Sequence, residues 1–144
     1  VIAVGGIGGE LKVKAYICSP SSAETDQEIQ QNMVYARQCV AEVAKEFGYR
    51  AYAPHAYLPE LLDDHDPEER ALALSFGISV LEHCHLLIIC SSRISSGMEI
   101  EIKKAFQDQM AVFRYFPDKK ETLIPVKDWR QLDEMQIPVK DISE

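Results

Sequence analysis

Long apolar runs are missing from this 144-residue chain. The longest falls far short of the roughly 18 residues that cross a bilayer, so no membrane span is expected. Basic charge is scarce. Lys and Arg number 15 against 23 Asp and Glu, giving a formal net charge of −8 and a pI of about 5.0. Proteins that track a phosphate polymer carry basic stripes, so a nucleic-acid polymer is not the expected partner. A single nucleoside or nucleotide needs only a local pocket and stays in play. The four cysteines, Cys18, Cys39, Cys84 and Cys90, include no C-x-x-C pair. With 47% hydrophobic residues the chain can build a core without disulfides, and the thiols read as reduced, in a cytoplasmic protein. Gly6-x-Gly8 lacks the third glycine of a dinucleotide-binding loop, and no cofactor is expected. The start, VIAVGGIGGE, has neither an initiator Met nor the basic flank of a signal peptide. Residues 1–12 are expected to be an N-terminal extension or the edge of a longer piece, with a single domain over 13–144.

What is present is a regular alternation. Val13 to Cys18 reads as a strand ended by Ser19-Pro20. Ile29, Met33, Ala36, Val40, Val43, Ala44 and Phe47 recur at steps of three and four, a long amphipathic helix closed by Gly48. Tyr49 to Ala53 is a short strand. Asp66-Pro67-x-Glu69 combines an N-cap residue, a proline at the first helical position and a following acid, and starts a helix that runs to about His83. His85 to Cys90, HLLIIC, is apolar throughout, as in a parallel strand buried on both faces. A helix over Gly97 to about Gln107, strands at Ala111–Phe116 and Thr122–Val126, and a short helix around Trp129–Met135 complete the pattern. This is a doubly wound, mostly parallel α/β sheet, flavodoxin-like or Rossmann-like, with helices on both faces. Ligands of such sheets sit beyond the carboxyl ends of the strands. Those ends are Cys18-Ser19-Pro20, Pro54-His55 and Cys90 to Ser96.

The segment ISSGMEIEIKKAF, Ile94 to Phe106, sets Glu99 and Glu101 among apolar residues. Ser96-x-x-Glu99 fits a capping box, which accounts for Glu99. Glu101 falls at the border of the Met98, Ile102, Ala105 stripe. From position alone it reads as a boundary carboxylate that the helix dipole keeps ionised. Arg93, with the backbone amides of Ser95 to Met98, could bind an anion; the plain alternative is a surface arginine. Asp63, Asp64, His65 and Asp66 match no metal-loop spacing. His83-Cys84-His85 are sequence neighbours that point apart, so no metal site is expected. Cys18 and Cys90 end strands that would be adjacent, and read as small buried apolar residues.

YICSP, NMVYAR, PHAYLPELLDDHDPEER and ISSGMEIEI, within Lys14 to Phe116, resemble the phage and prophage branch of the nucleoside 2-deoxyribosyltransferase-like superfamily. Known relatives break or exchange the N-glycosidic bond of deoxynucleosides or deoxynucleotides, and their catalytic Glu follows a Gly by four positions. Gly97 to Ala105 fits that frame, so the resemblance selects Glu101 as nucleophile. The loop Ser19 to Ser22 matches the position of the family's substrate-binding loop. With the strand ends and the helix start, the candidate binding residues are Tyr16, Ser19, Ser21, Ser22, His55, Arg93, Ser95, Ser96 and Gly97. The family's aspartate in the helix before the third strand has no counterpart near Gly77. A second carboxylate must come from Asp63 or Asp64, from another subunit, or be missing. The resemblance therefore implies a deoxyribosyltransferase or N-glycosidase. The alternatives are a non-catalytic binder of a nucleotide or ADP-ribose-type metabolite, and an interaction module with no ligand.

The helix before HLLIIC carries two apolar stripes. Ala71, Leu74, Ile78 and Leu81 can cover the sheet, while Leu72, Phe76 and Val80 face the other way. A second apolar face on a surface helix points to a homodimer or higher homo-oligomer, as the resemblance also implies. Otherwise Tyr57 to Leu62, or the C-terminal tail, covers it.

Overall fold

The computed structural model describes residues 12–116 and 122–134. Strand β1 (Lys14–Cys18) is followed by helix α1 (Asp26–Phe47) and strand β2 (Arg50–Tyr52). Helix α2 (Pro67–Leu81), strand β3 (Leu86–Ile89), helix α3 (Ser96–Gln107), strands β4 (Ala111–Tyr115) and β5 (Leu123–Val126) and helix α4 (Trp129–Glu134) follow. Met135, expected at the end of the last helix, lies outside the described residues, as does the extension before Lys12.

The helix ends follow from local chemistry. Thr25 caps α1 by accepting from the Glu28 amide at 3.2 Å. Gly48 ends it with a left-handed φ of 70° and an N–H bonded to the Ala44 carbonyl, a conformation that costs a side-chain-bearing residue strain. Asp66 caps α2 through the Glu68 amide at 2.9 Å, just ahead of Pro67. This helix ends at Leu81, short of the expected His83. The linker between β2 and α2 holds two single 3₁₀ turns, Pro54–Ala56 and Leu58–Glu60, each with a proline at its start. Helical periodicity cannot reveal so short a turn.

The five strands form one sheet in the order β2-β1-β3-β4-β5. The first three pairings are parallel, and β5 runs antiparallel to β4. The link from Tyr115 to Leu123 is shorter than the dozen or so residues a parallel crossover needs, which forces the reversal. Pro125 is tolerated in β5 because that strand is an edge. Alternate residues of β1 divide the core. Ala15 and Ile17 pack with Ala36, Cys39 and Val43 of α1. Tyr16 and Cys18 face Met98, Ile102 and Ala105 of α3 and Leu81 of α2. The expected doubly wound α/β architecture is present, with helices on both faces. Its order places the switch point between β1 and β3.

Candidate active site

At that switch point lies a cavity of about 100 Å³. The end of β1 supplies Tyr16, Ser19, Ser21 and Ser22, and the turn after β2 supplies Pro54 and His55. The start of α3 supplies Ser95, Ser96, Gly97 and Glu101. Asp64 lines the wall facing Ser22, whose hydroxyl is 3.4 Å from it. Asp63 and Arg93 are exposed and line no part of the cavity. Asp63 instead closes the turn into α2, accepting from the His65 amide at 2.9 Å. The Arg93 amide donates to Ser91 Oγ at 3.1 Å in the β3–α3 turn, and the residue is exposed. A more open depression of about 450 Å³ adjoins the cavity and shares Ser22, Asp64, Arg70 and Leu74 with it.

Glu101 is 8% exposed. The Tyr16 hydroxyl donates to its Oε2, and the Cys18 thiol lies 3.7 Å from Oε1. Burial pushes its pKa up to about 7, against the pull of Tyr16 and Cys18 toward the ionised form. This corrects the expectation of a solvated carboxylate held ionised by the helix dipole. Glu101 sits in the second turn of α3, beyond the reach of the terminal dipole, and loss of water dominates. Glu99 also differs from its expected role. Ser95, not Ser96, is the N-cap and accepts from the Met98 amide at 3.3 Å. Glu99 therefore lies one position too far along for a capping box, and pairs with Lys103 at 2.6 Å.

His55 Nε2 lies 2.6 Å from Ser19 Oγ. Burial lowers the His55 pKa to about 4, so the ring is neutral in ordinary buffers and acts as a hydrogen-bonding group. Ser19 is itself buried, so the pair is held at the cavity wall rather than left free in solvent.

Sequence reasoning missed the contribution of α2. Arg70, Ala73, Leu74 and Gly77, spaced three and four apart, turn toward the cavity, and Glu69 joins them. Ala71, assigned to the sheet-covering stripe, is exposed, while Gly77 and Leu81 are buried. A Cβ at Gly77 would lie 2.9 Å from the Tyr16 hydroxyl oxygen and 3.1 Å from Glu101 Oε2. The missing side chain is what lets α2 lie against that pair. The only signal in the sequence was a glycine inside a helical pattern, where it costs about 1 kcal/mol against alanine.

Among the described residues, no three His, Cys, Asp or Glu side chains are grouped to hold a metal. No helix among them is long and apolar enough to cross a membrane. Comparison with known families decides the relationship, because residues 13–116 match a family defined only as a domain of unknown function. The chain belongs to the DUF7768 family. No curated protein matches this DUF7768 chain. Among solved structures, a 2-deoxyribosyltransferase from the psychrotolerant bacterium Bacillus psychrosaccharolyticus superimposes with a TM-score of 0.52. The match covers 90% of this chain and 98% of that one at 15% identity, so the shared property is the fold.

Proposed function

We propose that this DUF7768 protein cleaves or exchanges the N-glycosidic bond of a deoxynucleoside, with Glu101 as nucleophile. The observation that carries the reading is the state of Glu101. It is a carboxylate withdrawn from water, gripped through Oε2 by Tyr16, at the wall of a cavity lined by serine hydroxyls. Water-poor surroundings make an ionised carboxylate a stronger electrostatic partner for a cation-like anomeric carbon. Attack forms a glycosyl ester and expels the base; water or a second base then takes the sugar. The serines of the β1 loop and of Ser95–Gly97 contact the sugar, and the Ser19–His55 pair contacts the ligand beside them. Asp64, of the two aspartates, is the candidate to assist the leaving base. The structurally similar Bacillus protein is a 2-deoxyribosyltransferase, and that activity supports this class of reaction.

Charge favours an unphosphorylated substrate. Asp64, Glu69 and Glu101 line the cavity against Arg70, and a phosphomonoester would add roughly 1.5 to 2 negative charges. A second reading is a binder that retains the pocket without turnover. It draws on Gly77, where the Tyr16–Glu101 pair leaves no room for an aspartate side chain. A panel of deoxynucleosides and their 5′-monophosphates separates the readings. Free base is followed by chromatography and binding by thermal shift. Base release from deoxynucleosides supports catalysis; thermal shifts without release support the binder.

The protein is also proposed to assemble as a homodimer or a multiple of one. Leu72 is 57% and Phe76 52% exposed on the outer side of α2. Leu72 and Phe76 stay exposed with Tyr57 to Leu62 in place, so that segment does not bury the stripe; the end of the C-terminal tail lies outside the described residues.

A further inference from the structure

Cys18 occupies an unusual place for a cysteine that serves only as a small apolar filler. It is fully buried, yet its sulfur lies between two acceptors, Glu101 Oε1 at 3.7 Å and the Met98 carbonyl oxygen at 3.9 Å. Strand geometry explains the placement. Residues 16 and 18 of β1 point to the same face, so one strand presents two donors, two positions apart, to one carboxylate. Tyr16 takes Oε2 and Cys18 takes Oε1. The terminal torsion of a glutamate is otherwise broad, and a single bonded oxygen would leave the group free to rock about that bond.

We propose that Cys18 is a positioning residue for Glu101, its thiol fixing Oε1 so that the carboxylate keeps one orientation toward the cavity. The proposal rests on the reading of Glu101 as the nucleophile. Burial and the neighbouring carboxylate keep the Cys18 thiol protonated well above its ordinary range, so the donor persists wherever Glu101 ionises. The S–H group is a weak donor, which suits a nucleophile: it orients the oxygen without quenching its lone pairs as a second strong donor would. Other groups around Glu101 do not duplicate the role. Tyr16 holds the opposite oxygen, and α2 meets the carboxylate with Gly77. Glu69 and Arg70 of α2, and His55 and Asp64 of the loops, line the same cavity.

Serine and alanine are close in volume and differ in the donor, so Cys18→Ser and Cys18→Ala separate positioning from packing. The reading is the Glu101 titration midpoint, followed by carbon NMR of labelled Glu carboxyls without substrate, with Glu101→Gln assigning the signal. Cys18→Ala is expected to raise the midpoint by on the order of half a pH unit, because a donor to the ionised form is lost. Cys18→Ser is expected to keep or lower it. Equal midpoints in both variants and wild type overturn the proposal. A second check follows the thiol itself in the wild-type protein by infrared spectroscopy. The S–H stretch component lost in Cys18→Ser should shift in wild type as Glu101 ionises near pH 7, and the shift should vanish in Glu101→Gln; a component unmoved across that range overturns the proposal too. A moved midpoint in a protein that releases no base from any deoxynucleoside leaves the Cys18–Glu101 coupling standing and removes the nucleophile reading instead.

Discussion

Tyr16 and Glu101 are 85 residues apart in sequence and joined by a hydrogen bond in the core, from the Tyr16 hydroxyl to Oε2. Both sit where a Cβ on Gly77 would intrude, at 2.9 Å and 3.1 Å. Three elements, β1, α2 and α3, therefore depend on one another at a single point.

Gly77→Ala tests that dependence, because two effects of opposite sign compete. Alanine in a helix interior normally stabilises by about 0.5–1 kcal/mol over glycine. Overpacking a buried, bonded pair costs typically about 1–3 kcal/mol. We expect overpacking to win, with a net loss of stability in urea unfolding and a fall in any base release. A more stable Gly77→Ala protein with unchanged Glu101 titration would show that α2 can yield.

The pKa shifts of Glu101 and His55 give stability a specific pH dependence. Glu101 is raised from 4.5 to about 7, so between those values the folded state holds a proton that the unfolded state lacks. Stability therefore falls as pH rises through that window, by at most about 3 kcal/mol. His55 is lowered from 6.5 to about 4, so the unfolded state holds the extra proton, and stability falls as pH drops through that range. The two slopes oppose each other where the windows overlap. Glu101→Gln removes the first, and should gain stability over wild type at pH 8 but not at pH 4. Urea midpoints measured across pH 4 to 8 check it; identical curves for the two proteins would mean that Glu101 titrates as an ordinary surface acid.

Assembly is tested by Phe76→Glu. A charge on the exposed stripe of Leu72 and Phe76 should dissociate an oligomer with little effect on the monomer fold, read by sedimentation at micromolar concentration. A wild-type protein that sediments as a 16.3 kDa monomer would contradict the oligomer itself.

The α/β alternation, the cap at Asp66 and the stop at Gly48 were legible in the sequence because each is set by local chemistry. The family frame around Gly97 singled out Glu101 over Glu99, yet the burial of Glu101 was not legible. Depth depends on how closely α2 approaches, and that approach is set by the side chain missing at Gly77. Arg93 lies outside the cavity wall, a placement the sequence could not give because a cation near a helix start looks the same whichever way its turn runs. Asp63 and Asp64 are adjacent and chemically alike, and only the path of the turn places Asp64 at the cavity and Asp63 outside. The antiparallel β5 follows from a short link, a rule of connection length rather than of side-chain pattern.

The most direct test of the central claim is release of free base from deoxynucleosides by wild type, Glu101→Gln and Glu99→Gln, resolved by chromatography. Glu99 makes an exposed pair with Lys103, so its change should cost no more than about 0.5 kcal/mol of stability and leave release intact. Glu101→Gln should lower release by on the order of 10³-fold or more, as expected for loss of a nucleophile, while remaining folded. Release that survives in Glu101→Gln, or that disappears in Glu99→Gln, would contradict the assignment of Glu101.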